Sequence, residues 1–111
     1  MDNVKDDKYY LNKIICDLKF VVDQTAGMTV IEIEENALLI DSIMFRIIQI
    51  AENTNKLTEN FKTIHKDVPW IAIRGMRNRI VHDYGMVNLD IIYDTLTNGI
   101  PQMYEKLIKI Q

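Results

Sequence analysis

Arg77 and His82 are the pair of side chains best suited to act together on a phosphate ester. Arginine presents a permanent, forked cation that matches phosphate oxygens. Histidine can take or give a proton near neutral pH. RNA brings its own nucleophile, the 2′-hydroxyl. An enzyme acting on it need only remove that proton, stabilise the charged transition state and protonate the leaving 5′-oxygen. No metal is required, and the single cysteine, Cys16, offers no zinc-site spacing. One such histidine per chain is too few for separate acid and base. A two-fold-related second copy would supply another His82 and another Arg77.

Both residues lie in the stretch PWIAIRGMRNRIVHDY, residues 69–84, with Trp70, Arg74, Asn78, Arg79 and Tyr84. On a helix, Asn78 and His82 share one face, and Arg77 and Tyr84 fall nearly in line. Arg77 and His82 diverge by roughly 140°. They converge on one cleft only if the helix ends or tightens near His82, where Gly85 can turn the chain. Spacing alone leaves other readings open. Arg74, Arg77 and Arg79 also read as the wet face of a helix, or as ion-pair partners for Glu52 or Asp83. Tyr84 also reads as a core residue with a wet hydroxyl. His65, at a junction between segments, reads as a surface or capping residue.

The elements that must position this stretch are helical. Leu11, Ile14, Ile15, Leu18, Val21 and Val22 make one buried face of a helix over residues 6–25, with Asp6 and Asp7 at its positive end and Gly27 as its stop. TVIEIEE, residues 29–35, alternates like a strand, but nothing here would pair with it, so a loop or short helical turn is expected. Residues 36–57 are apolar over most of a helical circumference. That predicts a central helix buried on more than one side, able to carry a dimer contact. Its polar stripe, Ser42, Arg46, Gln49 and Asn53, is either a solvated strip or places Arg46 at a cleft or against an acid such as Glu52. Residues 58–65 predict a short helix with Leu57, Phe61 and Ile64 inward. A break follows at residues 66–69, then a helix over residues 69–81 with Asp67 and Pro69 at its start. Asn88 is expected to cap a last helix whose seam runs Leu89, Ile92, Leu96, Ile100, Met103, Leu107, Ile110, interrupted or kinked at Asn98, Gly99 and Pro101. The expectation is an all-α, up-and-down four-helix bundle with a short extra helix, as one domain over residues 1–111.

Composition bounds the function. The 111 residues carry a formal net charge of −3, unlike a general nucleic-acid-coating protein, and DNA is not an expected partner. A local cationic site survives that balance, because screening confines potentials to about 10 Å. A lone cysteine fits a reducing cytoplasm. The start, MDNVKDDKYY, is no signal peptide, and no apolar run reaches the roughly 18 residues of a membrane span.

The stretch PWIAIRGMRNRIVHDYGMVNLDIIYDTL resembles the signature region of the HepT-like toxins of the HEPN superfamily. That family's motif is arginine, a polar residue, a short spacer, histidine, any residue, tyrosine. Arg77, Asn78, His82, Asp83 and Tyr84 match it. The likeness reaches back through LLIDSIMFRIIQIAE, where Arg46 and Glu52 fall on a family arginine and glutamate. It weakens at Ala51-Glu52-Asn53, where members usually show Gly-Glu-Ala, and is weakest over residues 25–36.

The resemblance implies a helical bundle that dimerises through its helices, with the two motif sets meeting in a composite cleft. It implies a metal-independent endoribonuclease without a cofactor, acting as the toxin of a type II toxin–antitoxin pair. The partner would be a minimal nucleotidyltransferase antitoxin that adenylylates the motif tyrosine. Carried onto this chain, Arg77 and His82 are catalytic and Tyr84 is the modified residue. Asn78, Arg46 and Glu52 support, and Arg74 and Arg79 bind RNA phosphate. The alternatives are an RNA- or nucleotide-binding module without turnover, or a structural partner of the nucleotidyltransferase.

Overall fold

A computed structural model describes residues 5–83 and 89–111, leaving out the side chains of Asp83 and Leu89. Among the described residues all regular structure is helical. The elements are α1 (Asp7–Thr25), α2 (Val30–Glu34), α3 (Ala37–Lys56), α4 (Glu59–Ile64), α5 (Trp70–Asp83), α6 (Leu89–Asp94), a π-helical turn (Thr95–Gly99) and α7 (Ile100–Ile108). The all-α bundle expected from the periodicity is the fold.

Each early helix starts where a short polar side chain can accept an orphan N–H. Asp6 accepts from Tyr9 N at 3.0 Å, and Asn36 accepts from Leu39 N at 3.0 Å. The ambiguous 29–35 segment becomes the single helical turn α2. Thr29 and Glu32 form a reciprocal capping box, and Ile33 is buried. Its alternation with acids leaves Ile31 in solvent. Thr58 caps α4 and also binds Asp7, through N (2.8 Å) and Oγ1 (2.7 Å), fastening that turn to the start of α1.

The core is aliphatic. Ile14, Leu18 and Val21 of α1 join Ile43, Ile47 and Ile50 of α3; Ile80, Ile100, Met103 and Leu107 complete it, all with essentially no exposed surface. α3 is the spine, in contact with α1, α2 and α5, while α7 packs on α1. Its apolar circumference is less buried than its composition implies, because Leu38 and Phe45 lie in solvent. Ile64, expected inward, is also exposed: α4 is too short to turn both Phe61 and Ile64 to the core.

The last seam is interrupted at Asn98 and Gly99, as expected: the α-helix gives way to a π turn over Thr95–Gly99 before α7. Helix continues through a wider turn in which Ile100 N reaches back to Thr95 O. The π turn accommodates a proline that has no N–H to give. It keeps Ile92, Leu96 and Ile100 on one buried line. Asn88, the predicted cap, lies outside the described residues.

Candidate functional site

α5 begins at Trp70, held by its indole Nε1, which donates to His65 O at 3.1 Å, and by Trp70 N, which donates to Val68 O at 2.9 Å. His65 closes α4 and stacks on Phe61 at 4.6 Å between centroids, a structural post. Ile73, Met76 and Ile80 recur at helical spacing and seat α5 on the core. This register decides where every motif side chain goes.

Arg77 sits at the edge of that buried stripe, about two-thirds buried, beside α3. Its Nε donates to Glu52 Oε1 at 3.2 Å, and its Nη2 lies 3.1 Å from the same oxygen. Nη1 donates to Asn78 Oδ1 at 3.2 Å. An arginine has five N–H donors. The remaining ones stay available to a phosphate on the open side. Arg74 donates through Nη2 to Asn55 Oδ1 at 3.2 Å, one turn earlier on the same flank.

His82 is exposed in the last turn of α5. The helix runs two residues past the expected end at residue 81 and passes through His82. The early ending that would have let Arg77 and His82 converge within one chain is therefore absent. Ile71, Gly75, Asn78 and His82 instead share the face of α5 turned away from the core, all four exposed. Arg79 points elsewhere: two residues from Arg77, it lies about 160° around the helix. It has no hydrogen bond or ion pair to any described residue. The three arginines are not one patch. Tyr84 lies outside the described residues.

Arg46 is not Glu52's partner. Its Nη1 contacts Asp17 Oδ1 at 2.7 Å, and its guanidinium covers the Phe20 ring at 4.0 Å. Glu52, one and a half turns further along α3, faces the other flank and is committed to Arg77. Asp17 and Phe20 were missed as partners. Their helix-1 spacing marks them only as one wet and one apolar position.

A groove of about 710 Å³ opens beside the N-terminal half of α5, lined by Trp70, Ile71 and Arg74 together with Lys62 and Lys66 of the preceding segment. It joins cationic and aromatic side chains on the flank that also carries Arg77. Among the described residues, no group of three His, Cys, Asp or Glu side chains is placed to hold a metal ion, and no helix is long and apolar enough to cross a membrane.

Comparison with known proteins gives the family of the chain. The family described as "Ribonuclease HepT-like" matches residues 14–110. A protein of Caldanaerobacter subterraneus subsp. tengcongensis named "Putative RNase" is 29% identical over 106 residues, covering 96% of this chain and 94% of its own length. A Methanocaldococcus jannaschii protein of the same printed name is 26% identical, covering 96% and 88%. A Thermococcus cleftensis protein named "Probable ribonuclease HepT" is 27% identical over 62 residues, 56% of each chain. No solved structure matches.

Proposed function

This chain belongs to the ribonuclease HepT-like family, and we propose that it is an endoribonuclease that cuts RNA without a metal, at a site completed by a second copy. The observation that carries this reading is the placement of the motif on α5. Arg77 is oriented by Glu52 and Asn78, while His82 stands exposed on another face of the same helix. Such divergence suits a cleft in which two chains each contribute.

In that cleft one His82 takes the proton from the 2′-hydroxyl, and the 2′-oxygen attacks phosphorus. The P–O5′ bond breaks, and the second His82 protonates the departing 5′-oxygen. The products are a 2′,3′-cyclic phosphate and a 5′-hydroxyl. Arg77, held in a fixed direction, meets the charge that grows on the non-bridging oxygens. The groove at Trp70, Lys62, Lys66 and Arg74 offers stacking and charge to a single strand leaving the site.

The outward stripe of α5 supports the pairing. Ile71 is 84% exposed, and Gly75 has open space where a Cβ would be. Nothing among the described residues requires glycine there, and a small residue at that point leaves room for the close approach of another helix.

In the same reading the chain is the toxin of a toxin–antitoxin pair, silenced when a minimal nucleotidyltransferase adenylylates Tyr84. Tyr84 stands two residues beyond His82. AMP there would bring a negative charge and bulk beside the phosphate-binding site.

The test is cleavage of RNA in excess EDTA by the unaltered chain and by His82→Ala. Activity should persist in EDTA and fall about 10²–10⁴-fold in the variant, the range for loss of a general acid or base. The exposed position of His82 leaves folding intact. Loss of activity in EDTA would overturn the metal-free step.

A further inference from the structure

We propose a second ligand site, for the phosphates of a nucleotide, in the cleft between α1 and α3, away from Arg77 and His82. The cleft has a volume of about 430 Å³. One edge is Lys5, just before α1, followed by Tyr9, Lys13 and Asp17 of α1, which are spaced four residues apart and stand in one row. Along α3 the facing row is Lys56, Asn53, Gln49 and Arg46. The Arg46–Asp17 ion pair closes one end and neutralises the only carboxylate that lines the cleft among the described residues.

Three lysines remain. Lys5, Lys13 and Lys56 have no carboxylate partner among the described residues. Their ammonium groups lie 5.6–5.7 Å from tyrosine ring centroids, Lys5 and Lys13 over Tyr9 and Lys56 over Tyr10. In a chain of net charge −3, three cations gathered around one cleft, none paired with a carboxylate among the described residues, mark a place for a polyanion.

The second observation is Asn53. It is 92% buried, being 8% exposed, and its carboxamide has no hydrogen-bond partner among the described residues. It lines this cleft. No buried polar atom among the described residues lacks a partner, so the Asn53 carboxamide, though most of its residue is buried, opens into the cleft and is free to bond with what enters it. Asn53 and Gln49 can each donate to a phosphate oxygen or pair with a base edge, and Tyr9 and Tyr10 give a base aromatic surface. Lysines for phosphate, amides for polar edges and tyrosines for a ring together describe a nucleotide rather than a bare anion.

The same chemistry is presented by a free nucleoside triphosphate and by a strand of RNA. Calorimetric titration of the full chain with ATP, with a 2′-O-methyl RNA oligonucleotide that cannot be cleaved, and with inorganic pyrophosphate separates them. Saturable binding of ATP or of the RNA, tighter than pyrophosphate, is expected. Lys13→Glu/Lys56→Glu should weaken it tenfold or more, as should Asn53→Asp. The charge-matched pair Lys19→Glu/Lys109→Glu, at exposed positions outside the cleft, should leave it within twofold. ATP affinity unchanged by Arg77→Ala keeps this site distinct from the cleavage site, so either proposal can fail alone. Absence of saturable binding by both ligands, equal losses in the two charge-reversed pairs, or pyrophosphate binding as tightly as ATP would overturn the proposal.

Discussion

Glu52 Oε1 receives Arg77 from two of its nitrogens, at 3.1 and 3.2 Å, and so pins α5 to α3 at the residue proposed to meet RNA phosphate. The pair joins positions 25 apart in the chain. It is partly exposed, which limits its contribution to stability to about 0–1 kcal/mol. Its consequence is directional: the guanidinium plane is set before substrate arrives.

Glu52→Ala should therefore separate activity from stability. The melting temperature should fall by only a few degrees, as expected for about 1 kcal/mol in a domain of this size. Cleavage should fall on the order of 10²-fold, the scale of a small misplacement of a reacting group. Unchanged kcat/KM in Glu52→Ala would remove the positioning role.

Mixing active and inactive chains tests the shared cleft. If one cleft needs two copies of His82, as base and as acid, a heterodimer of an unaltered and a His82→Ala chain should be inactive, so activity should fall with the square of the unaltered fraction once subunits have exchanged. A linear fall, with heterodimers seen by native mass spectrometry, would rule out a cleft shared by two histidines.

Gly75 distinguishes an isolated helix from a paired one. Gly75→Ala should stabilise α5 by about 0.5–1 kcal/mol through helix propensity, read by chemical denaturation. Gly75→Leu should leave the helix content unchanged by circular dichroism and lower the mass found by light scattering to that of one chain. A Gly75→Leu protein that remains dimeric would move the interface off this face.

Acid should loosen the α2 turn. The Glu32 carboxyl is held below its ordinary value of 4.5, chiefly by the Thr29 backbone N–H and then by the Thr29 hydroxyl. A depressed value in the folded state means the contribution is complete above pH 4.5 and is lost as pH falls through the lower, folded value. Melting curves between pH 6 and about 2.5 should show an acid-dependent loss that Glu32→Gln lacks. Parallel curves for both proteins would count against it.

The helices, the outer ends of most of them, and the family were legible in the chain alone. Those follow from local rules: apolar residues at helical spacing, Asp6 and Asp7 at the positive end of the first helix, and a motif run contained in one segment, whereas the caps Asn36 and Thr58 came to light in the fold. The chain alone also placed Asn78 and His82 on one face, because helical geometry alone fixes that. What the tertiary structure decided lies between helices. Glu52 could have met Arg46 on its own helix or Arg77 on another. The rotation that buries Ile43, Ile47 and Ile50 sends Glu52 toward α5 and leaves Arg46 to Asp17, 29 residues away. The same rotation lines Lys56 and Asn53 up with Tyr9 and Lys13 across a cleft. In the chain, these are only scattered residues on two wet faces. Side-chain partners across a bundle depend on how two helices roll against a shared core. That roll is set by the packing of all the buried residues together, which no single segment records.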